Sequence, residues 1–192
     1  MDKKITIWTT KGGCGKTSIS AELALRLQYP VITNEKNSML SHIIEKDRLL
    51  ILQEEQDIPD LDTGVIFDFG GFIDNRLVKV LKLSDIVIVP TLPEASDIQG
   101  CIYSLSTIKN YNSNAIVVVN KTENKKDFIS VKSIINDIDN LPIFEIKKSR
   151  AFPNIYIKKQ SIKEMSNHSP LDKYNYRKVL EQLDYLIKSL KL

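Results

Sequence analysis

The chain has 192 residues and a formal net charge of +3, with 42% hydrophobic and 27% charged residues, the balance of a folded, water-compatible domain. This length suits a single domain, residues 1–192, with a buried core, and it leaves no room for an added DNA-reading domain of ordinary size. No apolar run approaches the ~20 residues that span a bilayer, no leader-like apolar segment precedes the first strand pattern, and two cysteines with two histidines suit neither a disulfide scaffold nor an evident zinc site, so a cytoplasmic protein is expected.

Residues 4–9 are a short β-branched and aromatic run, the pattern of a buried strand. A glycine-rich turn follows, and residues 16–27 carry Ile19, Leu23 and Leu27 on one helical stripe. Tyr29-Pro30 stops that helix, and residues 31–33 read as a second strand. Residues 38–46 suggest a short helix, and 49–52 are a brief apolar run that fits strand or helix. Residues 53–62 are acidic and polar with a proline, hence a surface segment. Residues 65–71 are an apolar strand ending in Asp68, Phe69, Gly70 and Gly71. Helices are predicted over 75–83, 96–110, 125–138 and 170–190, and strands over 85–90, 115–120 and 143–146. Strands alternating with helices predict an α/β fold: a mostly parallel sheet covered by helices on both faces.

The charge is uneven. Residues 145–192 hold 11 Lys/Arg against 5 Asp/Glu, a local +6, and residues 1–144 hold the remaining 16 against 19, a local −3. A basic C-terminal quarter suits contact with nucleic-acid phosphates. It is equally the mark of a chain rich in Lys, Asn and Ile throughout.

The most informative segment is Thr10-Lys11-Gly12-Gly13-Cys14-Gly15-Lys16-Thr17, placed between a strand and a helix. Glycines let backbone N–H groups turn inward toward phosphate oxygens, and the helix N-terminus adds its positive end. The strict G-x-x-x-x-G-K-[ST] pattern fails because position 10 is Thr, and a second lysine, Lys11, stands inside the loop. K-G-G-x-G-K-T resembles the deviant Walker A motif of the ParA/MinD group of P-loop ATPases. The resemblance implies ATP and Mg²⁺ as ligands. The phosphates would be bound by Lys11, Gly12, Gly13, Cys14, Gly15, Lys16, Thr17 and Ser18, with Lys16 on the β- and γ-phosphates and Thr17 on the metal. It further implies an ATP-dependent sandwich homodimer, in which Lys11 reaches the partner's phosphates as an arginine finger would.

Residues 65–71 resemble Walker B, so Asp68 is expected in the Mg²⁺ shell and Gly70–Gly71 as a flexible switch. Residues 83–94 and 97–100 resemble the family's next strand and helix entry, with Asp85 a structural acid. Asn120 stands where the family's strand end contacts the base. The chain departs after its second strand. There the family carries D-x-D-P-Q, whereas this sequence has Thr33-Asn34-Glu35-Lys36-Asn37, leaving Glu35 as the candidate for ordering the attacking water and Thr33 without a charge. Residues 145–152 and 160–164 resemble the late part of partition ATPases, where a basic stretch precedes a short loop and the last helix.

The nearest subgroup by size is the small ParF-like plasmid-partition ATPases. The resemblance then implies DNA segregation. A nucleoid-associated dimer would hold DNA without sequence preference through Lys147, Lys148, Arg150, Lys158, Lys159 and Lys163, and a ParB-like centromere-binding protein would stimulate a slow hydrolysis. Two other readings share the fold. A MinD-like positioning ATPase needs a membrane-binding amphipathic C-terminal helix. Tyr176, Val179, Leu180, Leu183, Leu186, Ile187 and Leu190 form a stripe, but the opposite side is of mixed sign, so a docked helix and no membrane is expected. A metabolic ATP-dependent enzyme or cluster-bearing reductase would need a substrate pocket, or cysteines that bridge two subunits; Cys14 and Cys101 do not supply an evident pair.

Overall fold

A computed structural model describes residues 2–72 and 74–191. Seven strands, β1 (Lys4–Ile7), β2 (Val31–Thr33), β3 (Leu49–Ile51), β4 (Val65–Asp68), β5 (Ile86–Thr91), β6 (Ala115–Thr122) and β7 (Ile143–Lys147), form one sheet in the order β3-β2-β4-β1-β5-β6-β7. Every pairing is parallel. Seven α-helices accompany them: α1 (Lys16–Leu27), α2 (Leu77–Leu83), α3 (Ala95–Lys109), α4 (Lys125–Asn136), α5 (Ala151–Lys158), α6 (Ile162–Ser166) and α7 (Pro170–Ser189). Parallel strands need crossover helices, and those helices bury both faces of the sheet.

The period of two along each strand divides the core. Ile5, Ile7, Ile66, Ile88 and Val118 face one side, where α1, α5, α6 and α7 pack. Val65, Phe67, Val87, Val89 and Val117 face the other, under α2, α3 and α4. The expected stripe on α7 is spent here: Tyr176, Val179, Leu183, Leu186 and Leu190 are all buried.

Local signals fix the helix ends. Asn124 and Asp127 make a capping box for α4, and Ser161 and Glu164 make one for α6. Ser169 caps α7, with Pro170 in its first turn. Gln28 ends α1 in the left-handed region at φ 58°.

Two expectations need correction and one open alternative is resolved. The helix over 38–46 is instead two 3₁₀ turns, Met39–His42 and Lys46–Arg48, of four and three residues. The ambiguous run at 49–52 is the edge strand β3. The short loop before the last helix contains α5 and α6; each places only two or three apolar residues in the core, too few to mark a period in sequence.

The connectivity locates the site. From β1 the chain moves to β2 and β3 on one side, returns to β4, then crosses to β5 on the other side of β1. The order therefore reverses around β1, and ligands of open α/β sheets bind at the carboxyl ends of strands at such a point.

Candidate functional site

The glycine loop leaves the carboxyl end of β1 at that point. Gly13 and Gly15 have φ of +80° and +92°, conformations that a Cβ would strain. At Gly15 there is also no space, since a Cβ would stand 2.2 Å from Asn120 Nδ2. Gly12 and Gly13 are exposed, so their backbone is open to a ligand. Lys16 is buried and its Nζ donates to the Lys11 carbonyl at 3.0 Å, which holds the ammonium inside the curl of the loop.

Asp68 closes the other side. It ends β4, which lies beside β1 with Ile7 opposite Asp68. Its carboxylate accepts from Thr17 Oγ1 at 3.0 Å and from Ser20 Oγ at 2.8 Å. Burial pushes its carboxyl up to about 6, against the two hydroxyl hydrogen bonds; the nearby Glu35 raises it further and Lys16 lowers it. A buried carboxylate beside a hydroxyl, next to an exposed backbone curl, is a donor set that suits a hard divalent cation shared with phosphate and water. Among the described residues no group of three His, Cys, Asp or Glu forms a cage for a metal by itself.

Cys14 is buried, and its Sγ donates to Asp97 of α3 at 3.0 Å. Burial first, and that carboxylate second, push the thiol up to about 12, so Cys14 fastens the loop as a protonated thiol. Both cysteines are free thiols. Lys11 lies along α3: a Cβ on Gly100 would meet its Cγ at 2.3 Å.

Asn120, at the end of β6, donates to the Cys14 carbonyl at 2.9 Å, and Lys121 Nζ donates to the Gly13 carbonyl at 3.1 Å. They open onto a cleft of 650 Å³, lined also by Ser18, Lys147, Lys148, Arg150, Phe152 and Tyr156. Its floor is aromatic and its rim basic, a shape suited to a planar ring carried on an anionic tail. Three of the six expected DNA-contacting cations thus face this cleft. Lys148 is moreover paired with Glu123 at 2.5 Å, and the Lys147 N–H is held by Gln182 Oε1 at 3.0 Å. Lys158, Lys159 and Lys163 stand exposed at the end of α5 and on α6.

The switch glycines lie against the loop. A Cβ on Gly71 would meet the Thr10 carbonyl oxygen at 2.4 Å, and one on Gly70 would meet Phe72 at 2.3 Å and Glu35 Oε1 at 3.1 Å. Glu35 is therefore beside both the switch and Asp68. Sequence reasoning missed Asn34, Ser20, Lys121 and Tyr156. Ser20 had a signal, since it falls one turn after Lys16 on the face that meets β4. Asn34 had none, because its partners are 36 and 40 residues away.

No protein-family model and no curated protein matches the sequence. Solved structures match it in fold. A Borrelia burgdorferi protein named for plasmid partition, bound to AMPPNP, aligns with a TM-score of 0.68 and 16% identity over 98% of this chain and 100% of that one. The septum site-determining protein MinD of Pyrococcus horikoshii, complexed with Mg-ADP, aligns at 0.66 and 13% over 99% of each chain. A ParA family ATPase of Chlorobium tepidum aligns at 0.59 and 18% over 93% of this chain and 99% of that one. The chain has the fold of ParA/MinD-type ATPases.

Proposed function

We propose that this chain is a Mg²⁺-dependent ATPase of the ParA/MinD type that works in DNA partition. One observation carries the reading: Lys16, Thr17 and Asp68 converge on a left-handed glycine curl at the switch point of the sheet, with an aromatic cleft beside it. The curl's N–H groups and the α1 N-terminus would hold the phosphates, and Lys16 would exchange the Lys11 carbonyl for phosphate oxygens. Asn120 and the cleft beside it would take the adenine. Mg²⁺, held by Thr17 and Asp68, would neutralise charge on the transferring phosphoryl group. Glu35 would orient water, and Lys11 would act on the partner's phosphates in a nucleotide-bridged homodimer. Holding back that one cation until dimerisation would keep hydrolysis slow in the monomer.

Partition is favoured over membrane positioning because α7 spends its apolar stripe on the sheet. No helix among the described residues is long and apolar enough to cross a membrane. The exposed lysines of α5 and α6, with Lys147, Lys148 and Arg150 at the cleft rim, supply a cationic face for DNA phosphates. A ParB-like partner would then recognise the centromere and trigger hydrolysis.

Retention on random-sequence DNA tests this. With Mg²⁺ and ATP, binding should appear and then weaken at least about tenfold as salt rises from about 50 to about 200 mM. Binding that is absent, or equal without ATP, removes the partition reading.

A further inference from the structure

Asn34 follows β2 and is buried, with both its amide oxygen and its amide nitrogen hydrogen-bonded. Its Oδ1 accepts from the Gly70 N–H at 2.8 Å, and its Nδ2 donates to Asp74 Oδ2 at 2.7 Å. Only this orientation of the amide satisfies both neighbours, since the flipped one would set donor against donor and acceptor against acceptor. Asp74 is held by Arg76 at 2.9 and 2.7 Å through two guanidinium nitrogens. That pairing first, with the Asn34 amide contributing, keeps the Asp74 carboxyl down at about 2, so the link stays ionised at any working pH.

The chain of contacts continues. Arg76 Nη1 donates to the carbonyls of Gln53 and Gln56 at 2.8 and 2.7 Å. One turn along, Lys79 Nζ donates to the Ile58 carbonyl at 3.1 Å and to Asp57 Oδ2 at 2.6 Å. The 53–58 loop carries no strand or helix of its own. Its shape therefore draws on the two cations that follow the switch, besides its own Gln53–Gln56 turn and the buried Ile58.

The geometry points to Asn34 as a positioning residue that couples the occupancy of the phosphate site to the 53–58 loop. This deepens the nucleotide reading and rests on it. Gly70 lies in the switch beside the phosphate loop, and its N–H is at present given to a neutral amide oxygen. A phosphate oxygen is a charge-assisted acceptor, roughly twice as strong. Once the Gly70 N–H turns to phosphate, Asn34 loses its anchor and Asp74–Arg76 loses its tether. A site holding only a diphosphate leaves the Asn34 contact intact. The two nucleotide states then differ at a surface loop that touches neither.

The experiment is hydrogen exchange over residues 53–58 with Mg-ADP and with Mg-AMPPNP, alongside a titration with a fluorescent nucleotide. The wild-type chain should exchange there at least about threefold faster with AMPPNP bound. In Asn34→Ala and in Arg76→Gln that difference should vanish, while affinity for Mg-ADP stays within about threefold. Arg76→Gln alters a half-buried side chain outside the phosphate loop and decides the matter alone if Asn34→Ala does not fold. Equal exchange in the wild type with both nucleotides bound overturns the proposal, as does either variant that keeps the difference. Failure of the wild type to bind any nucleotide overturns the nucleotide reading itself, and the titration tells that outcome apart.

Discussion

The two sides of the site are built differently. On the phosphate side, the curl of residues 11–16 is set by left-handed glycines and by Lys16 on the Lys11 carbonyl, and Asn120 of β6, distant in sequence, is wedged where Gly15 has no Cβ. On the switch side, Gly70, Asn34, Asp74, Arg76 and the 53–58 loop are joined in series by side-chain hydrogen bonds between segments far apart in sequence. The conformation of a glycine cannot be exchanged for a ligand, whereas side-chain hydrogen bonds, that of Lys16 included, can. The first side is suited to holding a constant part of a ligand and the second to sensing a part that comes and goes.

The largest expected effect separates binding from chemistry. Lys11→Ala should leave ATP binding within about threefold and reduce partner-stimulated hydrolysis by on the order of a thousandfold, as loss of an arginine finger does. Full stimulated turnover in that variant would remove the trans-lysine role.

Next comes the rigid side itself. Gly15→Val puts a β-branched residue at φ +92° and a Cβ against Asn120. Nucleotide affinity should fall on the order of a hundredfold in a titration, and the thermal transition should drop while staying cooperative. Near-normal affinity would mean that the curl yields as readily as the switch.

The smallest effect tests what lies behind the curl. Glu22 of α1 is fully buried; its Oε2 accepts from the Ile162 N–H at 2.7 Å, and its Oε1 lies 3.9 Å from Arg26 Nη1. Burial raises its carboxyl to about 7, against the Ile162 hydrogen bond and Arg26. The folded state therefore holds this proton better than the unfolded chain does. The resulting stability is present below about 4.5 and is lost as pH rises through about 7, a change on the order of 3 kcal/mol. Urea unfolding across that range should show the slope in the wild type and a flatter one in Glu22→Gln. Identical slopes would show that Glu22 titrates normally and that α1 stands on an ordinary ion pair.

Legibility in the sequence follows the same division. The loop, Asp68 with its two glycines, and the alternation of strands and helices depend on near neighbours, so each left a local pattern. Cys14 shows the limit: its place in the loop is legible, but its tie to Asp97 crosses 83 residues. Lys147, Lys148 and Arg150 read from sequence as DNA-contacting cations, whereas the fold turns them toward the cleft at Asn120. α5 and α6 escaped notice because each buries too few residues to set a period.

By itself, the sequence determined the α/β class, the phosphate curl and the acid that faces it, because periodicity and glycine conformation act over a few residues. Tertiary structure alone decided that β1 lies between β4 and β5 and that Asn34 bridges Gly70 and Asp74. These depend on which distant segments meet, and burial makes each unpaired polar group there costly enough to select one partner.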